Sequence, residues 1–153
     1  MRDVYISPVK AVLHCLHDET VDFIFCTMED YVPSPTPSNA LLLRFMDVTD
    51  PAHPLAFRAE QAAKIAAFLR RPDARPEVFV CCDSGESRSA AIAATILLSQ
   101  GSSDAPIWDS AEYHPNPLVF QRMCAALGVA VAEEALKDRQ KRSDAAFHTA
   151  LNR

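Results

Sequence analysis

The sequence predicts an α/β domain with a mainly parallel central sheet flanked by helices. Three observations lead there. Short apolar runs of strand type alternate with segments of helical periodicity along the chain. One run, at 77–81, passes through a tight polar loop into a helical run at 90–98. The chain has 153 residues, 49% of them apolar, which suits one domain (1–153) with a real core.

The elements follow in order. A strand is expected at 3–7 and a helix at 8–17, with Pro8 near its first turn, where its missing N–H costs nothing. Residues 21–26 form a second strand. Residues 31–39 contain Pro33, Pro35 and Pro37 and read as a loop. A third strand covers 41–45, and a polar, proline-containing loop covers 47–54. Residues 56–70 form a helix whose Ala62, Ile65, Ala66 and Leu69 share one face. After a turn at 71–76 comes the 77–81 strand, and the helix beyond it ends at Gly101, which suits a left-handed C-cap. A loop at 101–115 holds the only tryptophan, Trp108. Asn116 caps and Pro117 opens a helix to about 127, with Val119, Met123 and Ala126 on one side. Residues 129–151 are mostly helical and heavily charged.

The loop Cys82-Asp83-Ser84-Gly85-Glu86-Ser87-Arg88-Ser89 carries the chemistry. A strand, a tight loop and a helix put the Cys82 thiol at a helix N-terminus. Unpaired N–H groups and the helix dipole there bind anions. They also favour thiolate, so a cysteine pKa near 8.5 can fall to ~3.5–7.5. Gly85 lets the backbone turn inward where a side chain would clash. Arg88 offers a planar fork of donors that matches two phosphate oxygens. A buried cysteine before an ordinary helix explains neither the glycine nor a cation at a helix start.

These residues resemble the signature of the protein-tyrosine and dual-specificity phosphatase superfamily: His-Cys, two residues, Gly, two residues, Arg, Ser/Thr. Cys82, Gly85, Arg88 and Ser89 match, and Cys81 stands where the family usually has histidine. The resemblance extends loosely over 41–101. It implies a phosphotyrosine protein phosphatase-like fold and a small bacterial-type member. It also implies a cysteine-dependent phosphatase without cofactor or metal. Cys82 would attack phosphorus and form a cysteinyl-phosphate. The N–H groups of Asp83, Ser84, Gly85, Glu86, Ser87 and Arg88, with the Arg88 guanidinium, would hold the equatorial oxygens. Ser89 would donate to the sulfur and ease its departure. An acid from elsewhere would protonate the leaving oxygen.

Ligands of open parallel sheets bind beyond the C-terminal strand ends. The loop after the 41–45 strand should open on the same edge as Cys82, and its carboxylates are Asp47 and Asp50. The family's acid sits on such a loop. Asp47, nearest the strand end, matches best; Asp50, before Pro51, is the rival, since Asp-Pro is also ordinary turn chemistry. Cys81 reads either as a redox partner of the reactive thiolate or, preferably, as a small apolar residue completing the strand. Asp83 and Glu86 are expected to point outward and make the rim less positive. That disfavours polyanionic substrates and suits phosphotyrosine-type or small phosphate esters. His114 and Asn116 could reach a site, though a helix cap suffices for Asn116. Trp108 and Tyr113 are assigned to the core.

A net charge of −5 without a basic block argues against nucleic acid or a membrane surface as main partner. A phosphorylated protein or small phosphate ester is the expected partner. No apolar run reaches the ~18 residues of a membrane span, and the start lacks a signal-peptide core. Five cysteines without paired spacing suggest a reduced, cytoplasmic protein. Two rival readings remain. A catalytically weak phosphate-binding module is motivated by the missing histidine. A rhodanese-like sulfurtransferase or arsenate reductase also uses a thiolate in an anion-binding loop.

Overall fold

The computed structural model describes residues 1–152. Four strands, β1 (Asp3–Pro8), β2 (Val21–Cys26), β3 (Ala40–Leu43) and β4 (Glu77–Cys82), form one sheet in the order β1-β4-β2-β3. Every pairing is parallel, as the alternation of strand and helix predicts. Pro8 and Cys26 both pair with Cys82, so three strands end level at one sheet edge.

Successive side chains of a strand face opposite sides of its sheet. Ile24, Cys26, Val78, Val80 and Cys82 therefore enter one core layer, and Phe23, Phe25 and Cys81 enter the other. Helices cover the first face: α2 (Ala59–Arg70), α3 (Arg88–Ser99) and α5 (Pro117–Leu127). The second is closed by Val9, Val12 and Val32. Strands buried on both faces are apolar throughout, and β2 is, save Asp22. The fully buried Asp22 carboxylate is satisfied by Arg71, by the Arg75 N–H at 2.9 Å, and by Arg2 at 3.8 Å.

Several boundaries differ from expectation. Pro8 is not in a helix; it closes β1, where a missing N–H is tolerated at a strand end. The expected 8–17 helix is a single turn, α1 (Val9–Val12), followed by a 3-10 turn at Leu13–Cys15. β3 stops at Leu43, and just beyond it the carbonyls of Arg44 and Phe45 accept side-chain donors from Gln61 and Arg88. α2 starts at Ala59 rather than 56. The Gln61 side chain reaches back to the Arg58 N–H at 3.0 Å, and Ala56 and Phe57 are core residues ahead of the helix.

The 101–115 segment is not all loop. It contains α4 (Ala105–Trp108), anchored where buried Asp104 accepts from Trp108 Nε1 and Arg139. Gly101 does end α3 in the left-handed region. The Ser102 N–H bonds to the Leu97 carbonyl and the Gly101 N–H to that of Leu98. Asn116 caps α5 through the N–H groups of Leu118 and Val119. The charged C-terminal stretch is α6 (Glu133–Leu151). Among the described residues no helix is long and apolar enough to cross a membrane.

Candidate active site

β4 delivers Cys82 to the sheet edge, and α3 begins six residues later at Arg88. The loop between them turns on Gly85, whose φ is +71°. A Cβ there would lie 2.8 Å from the Pro8 nitrogen and 2.9 Å from the Ser7 carbonyl carbon. The glycine is thus required twice, by its backbone angle and by the end of β1 lying against it. Among the described residues, the N–H groups of Ser84, Gly85, Glu86 and Arg88 have no protein acceptor.

Cys82 is buried, with its Sγ 3.1 Å from Ser89 Oγ. Burial alone would raise this thiol. The Ser89 hydroxyl, the N–H groups of Ser89 and Ser87, and the Arg88 charge outweigh it, and the net shift is downward. The other buried thiols go the other way. Burial pushes up Cys26, Cys81 and Cys124, the last to about 11. Cys81 faces the opposite core layer from Cys82, in keeping with an apolar residue completing the strand.

Arg88 is buried and fixed at two corners of its guanidinium. Nη1 donates to the Phe45 carbonyl at 2.9 Å and Nη2 to Asp83 Oδ2 at 3.0 Å, while buried Nε has no partner among the described residues. Burial works against its charge, but Asp83 and Cys82 reverse this and hold the proton more firmly.

Asp83 is exposed, as expected, but its carboxylate is not free. Its Oδ1 accepts from Thr27 Oγ1 at 2.5 Å and from the Tyr31 hydroxyl, and its Oδ2 takes the Arg88 ion pair. Burial would raise this carboxyl; the Thr27, Tyr31 and Arg88 donors overcome that and hold it below the usual range. The reason is proximity. β2 ends level with β4, so Thr27, the residue after β2, lies beside the residue after Cys82. Glu86 is exposed, as expected.

Asp47 reaches the loop from the segment after β3. Its Oδ1 accepts from Ser87 Oγ and Asn116 Nδ2, both at 2.8 Å. Asp50 instead accepts the Ala52 N–H at 2.9 Å, an ordinary turn contact. Asn116 does more than cap: while Oδ1 closes the N-terminus of α5, Nδ2 holds Asp47 and the Val48 carbonyl. The same segment is pinned to the loop, with the His114 N–H on the Glu86 carbonyl and the Asn116 N–H on that of Ser87. A recess of about 440 Å³ opens here between Asp47, Ser87, Asn116 and Asp144. Trp108 is core, and Tyr113 packs against it. Among the described residues no three His, Cys, Asp or Glu side chains are grouped as a metal site requires.

Sequence reasoning missed Thr27 and Tyr31. The strand-end rule that singled out Asp47 after β3 would have found Thr27 if applied to β2. Nothing local marks Tyr31. The chain matches no family model and no curated protein. The chain is similar to a solved structure, that of human DUSP28, at 21% identity and a TM-score of 0.44, over 96% of this chain and 94% of that one.

Proposed function

We propose that this protein is a cysteine-dependent phosphatase of the protein-tyrosine/dual-specificity type. Its substrates would be phosphotyrosine-type residues of proteins or small phosphate monoesters. The observation that carries the reading is Cys82 itself. It is a thiol with a lowered pKa, hydrogen-bonded to Ser89 at the N-terminus of α3, beside an arginine whose buried Nε is free to donate.

In the first step the Cys82 thiolate attacks phosphorus, the P–O bond to the leaving group breaks, and Asp47 gives that oxygen a proton. The N–H groups of Ser84, Gly85, Glu86 and Arg88, which have no protein acceptor among the described residues, and the Arg88 guanidinium meet the charge on the three equatorial oxygens. In the second step water attacks phosphorus, its proton passes to the Asp47 carboxylate, and the sulfur leaves as thiolate. Ser89, 3.1 Å from that sulfur, donates to it as charge returns. Asp47 is preferred to Asp50 because its contacts are with Ser87 and Asn116 at the loop, whereas Asp50 is spent on a turn.

The test is turnover of p-nitrophenyl phosphate together with rapid acid quench and mass analysis. Wild type should release p-nitrophenol and carry the added mass of one phosphoryl group on the peptide containing Cys82. Cys82→Ser should lose turnover yet still bind tungstate. A serine variant with near wild-type turnover would rule the mechanism out.

A further inference from the structure

We propose that Asp83 is a positioning residue for Arg88, and that Thr27 and Tyr31 hold Asp83 in place. This rests on the phosphatase reading for its meaning, but its test also reads binding alone.

A carboxylate beside an oxyanion site is electrostatically unfavourable, since it offsets the charge of the arginine meant to bind phosphate. Its presence therefore calls for a compensating role, and the geometry supplies one. The Asp83 carboxylate is used from both sides. Oδ1 receives the hydroxyls of Thr27 and Tyr31, and Oδ2 receives Arg88 Nη2 at 3.0 Å. Thr27 is itself immobilised. It is fully buried, its N–H bonds to the Leu43 carbonyl at 3.1 Å, and its Oγ1 accepts the Glu29 N–H at 3.0 Å. The chain of contacts thus runs from the ends of β2 and β3 to one corner of the guanidinium.

The other corner, Nη1, is held by the Phe45 carbonyl just beyond β3. Two fixed corners define the plane of a rigid fork. With that plane set, Nε–H and the remaining Nη hydrogens are the donors left for an oxyanion. An arginine side chain left free would have to give up its rotamer freedom at each binding event; one already held does not.

An asparagine in place of Asp83 cannot reproduce this arrangement, although it has the same shape. An amide offers one neutral oxygen and one NH2: with the oxygen on the guanidinium the NH2 must donate to the hydroxyls, whose own protons are turned away, and the charge-assisted bond to Arg88 becomes a weaker neutral one. The sign of the effect separates positioning from charge. If Asp83 acted only by damping charge, Asp83→Asn would make the site more positive and tighten oxyanion binding. If it sets the fork, the same change weakens binding.

The experiment titrates inorganic tungstate calorimetrically into the full chain as wild type, Asp83→Asn, Tyr31→Phe and the double variant. Thermal unfolding checks that each is folded, and kcat and KM are measured on p-nitrophenyl phosphate. Asp83→Asn should weaken tungstate binding about tenfold, the effect of losing one hydrogen bond to a charged group, and should lower kcat more than it changes KM. Tyr31→Phe should act in the same direction but less, because Thr27 remains. In the Asp83→Asn background Tyr31→Phe should add nothing, since it acts only through Asp83. Unchanged or tighter tungstate binding by Asp83→Asn overturns the proposal. Should that variant not fold, Tyr31→Phe decides alone, and wild-type binding there overturns it. A wild type that binds tungstate but hydrolyses no ester removes the phosphatase reading and leaves the positioning result standing on binding. A wild type that binds no tungstate removes both.

Discussion

Replacing Gly85 with alanine tests whether the loop is shaped by the end of β1. Two costs are separable in the structure. The first is the backbone. Gly85 has φ +71°, where an L-residue loses about 1–2 kcal/mol. The second is space. The new Cβ would stand 2.8 Å from the Pro8 nitrogen, 2.9 Å from the Ser7 carbonyl carbon and 3.0 Å from Pro8 Cδ. These atoms cannot move cheaply. Ser7 and Pro8 are in register with Cys81 and Cys82, so pushing them away strains the sheet. Overpacking of this kind costs about 1–3 kcal/mol. Gly101 is the internal control, because it has φ +79° and nothing within 4 Å of an added methyl, so only the backbone cost applies.

Urea unfolding should therefore show Gly85→Ala losing about 2–5 kcal/mol and Gly101→Ala about 1–2 kcal/mol. The loop can also relieve the clash by moving. In that case the stability loss falls towards the control, while tungstate binding and the fast reaction of Cys82 with iodoacetamide are lost. The reasoning is refuted if Gly85→Ala matches Gly101→Ala in stability and keeps wild-type binding and thiol reactivity.

Three further outcomes are expected. Iodoacetamide followed by peptide mass analysis should label Cys82 well before Cys26, Cys81 and Cys124, because its thiol is lowered and burial raises theirs. Thiolate forms as pH rises through the pKa, so Cys82 labelling should level off at lower pH in the folded chain than in urea; coincident profiles would contradict the lowered thiol. Asp47→Asn should slow phenyl phosphate by about a hundredfold or more and p-nitrophenyl phosphate far less, because a stable phenoxide departs unprotonated. Asp50→Asn is the control, and a leaving-group dependence seen only there would move the acid to Asp50. Asp22→Ala should cost about 3–5 kcal/mol in urea unfolding, since it strands Arg71 and the Arg75 N–H without their buried acceptor. A loss under ~1 kcal/mol would mean that this pair does not anchor β2.

Some features were legible because their physics is local. β2 occupies the six apolar-rich positions read as a strand, and the Asn116 cap and the Gly101 terminus each depend on groups within four residues. Cys82, Gly85, Arg88 and Ser89 lie within eight positions, so a strand running into a helix already brings the thiol and the Ser89 hydroxyl together. Boundaries were less legible where distant groups meet them. Just past the end of β3, the carbonyls of Arg44 and Phe45 are taken by the distant side chains of Gln61 and Arg88. α4 begins just after Asp104, whose carboxylate is held by Arg139, thirty-five positions away.

A parallel α/β domain, and an eight-residue loop with a cysteine, a glycine and an arginine at set spacing, could be read without coordinates. Periodicity and short-range turn chemistry suffice for those. The side chains that surround the loop came from long-range packing. Asp47 meets Ser87 across 40 positions and Asn116 across 69, and Asp83 meets Tyr31 across 52 and Thr27 across 56. No local pattern encodes such pairs. They exist because four parallel strands end at one edge and bring the segments that follow them together, so that the exposed Asp83 is also the partner of Arg88.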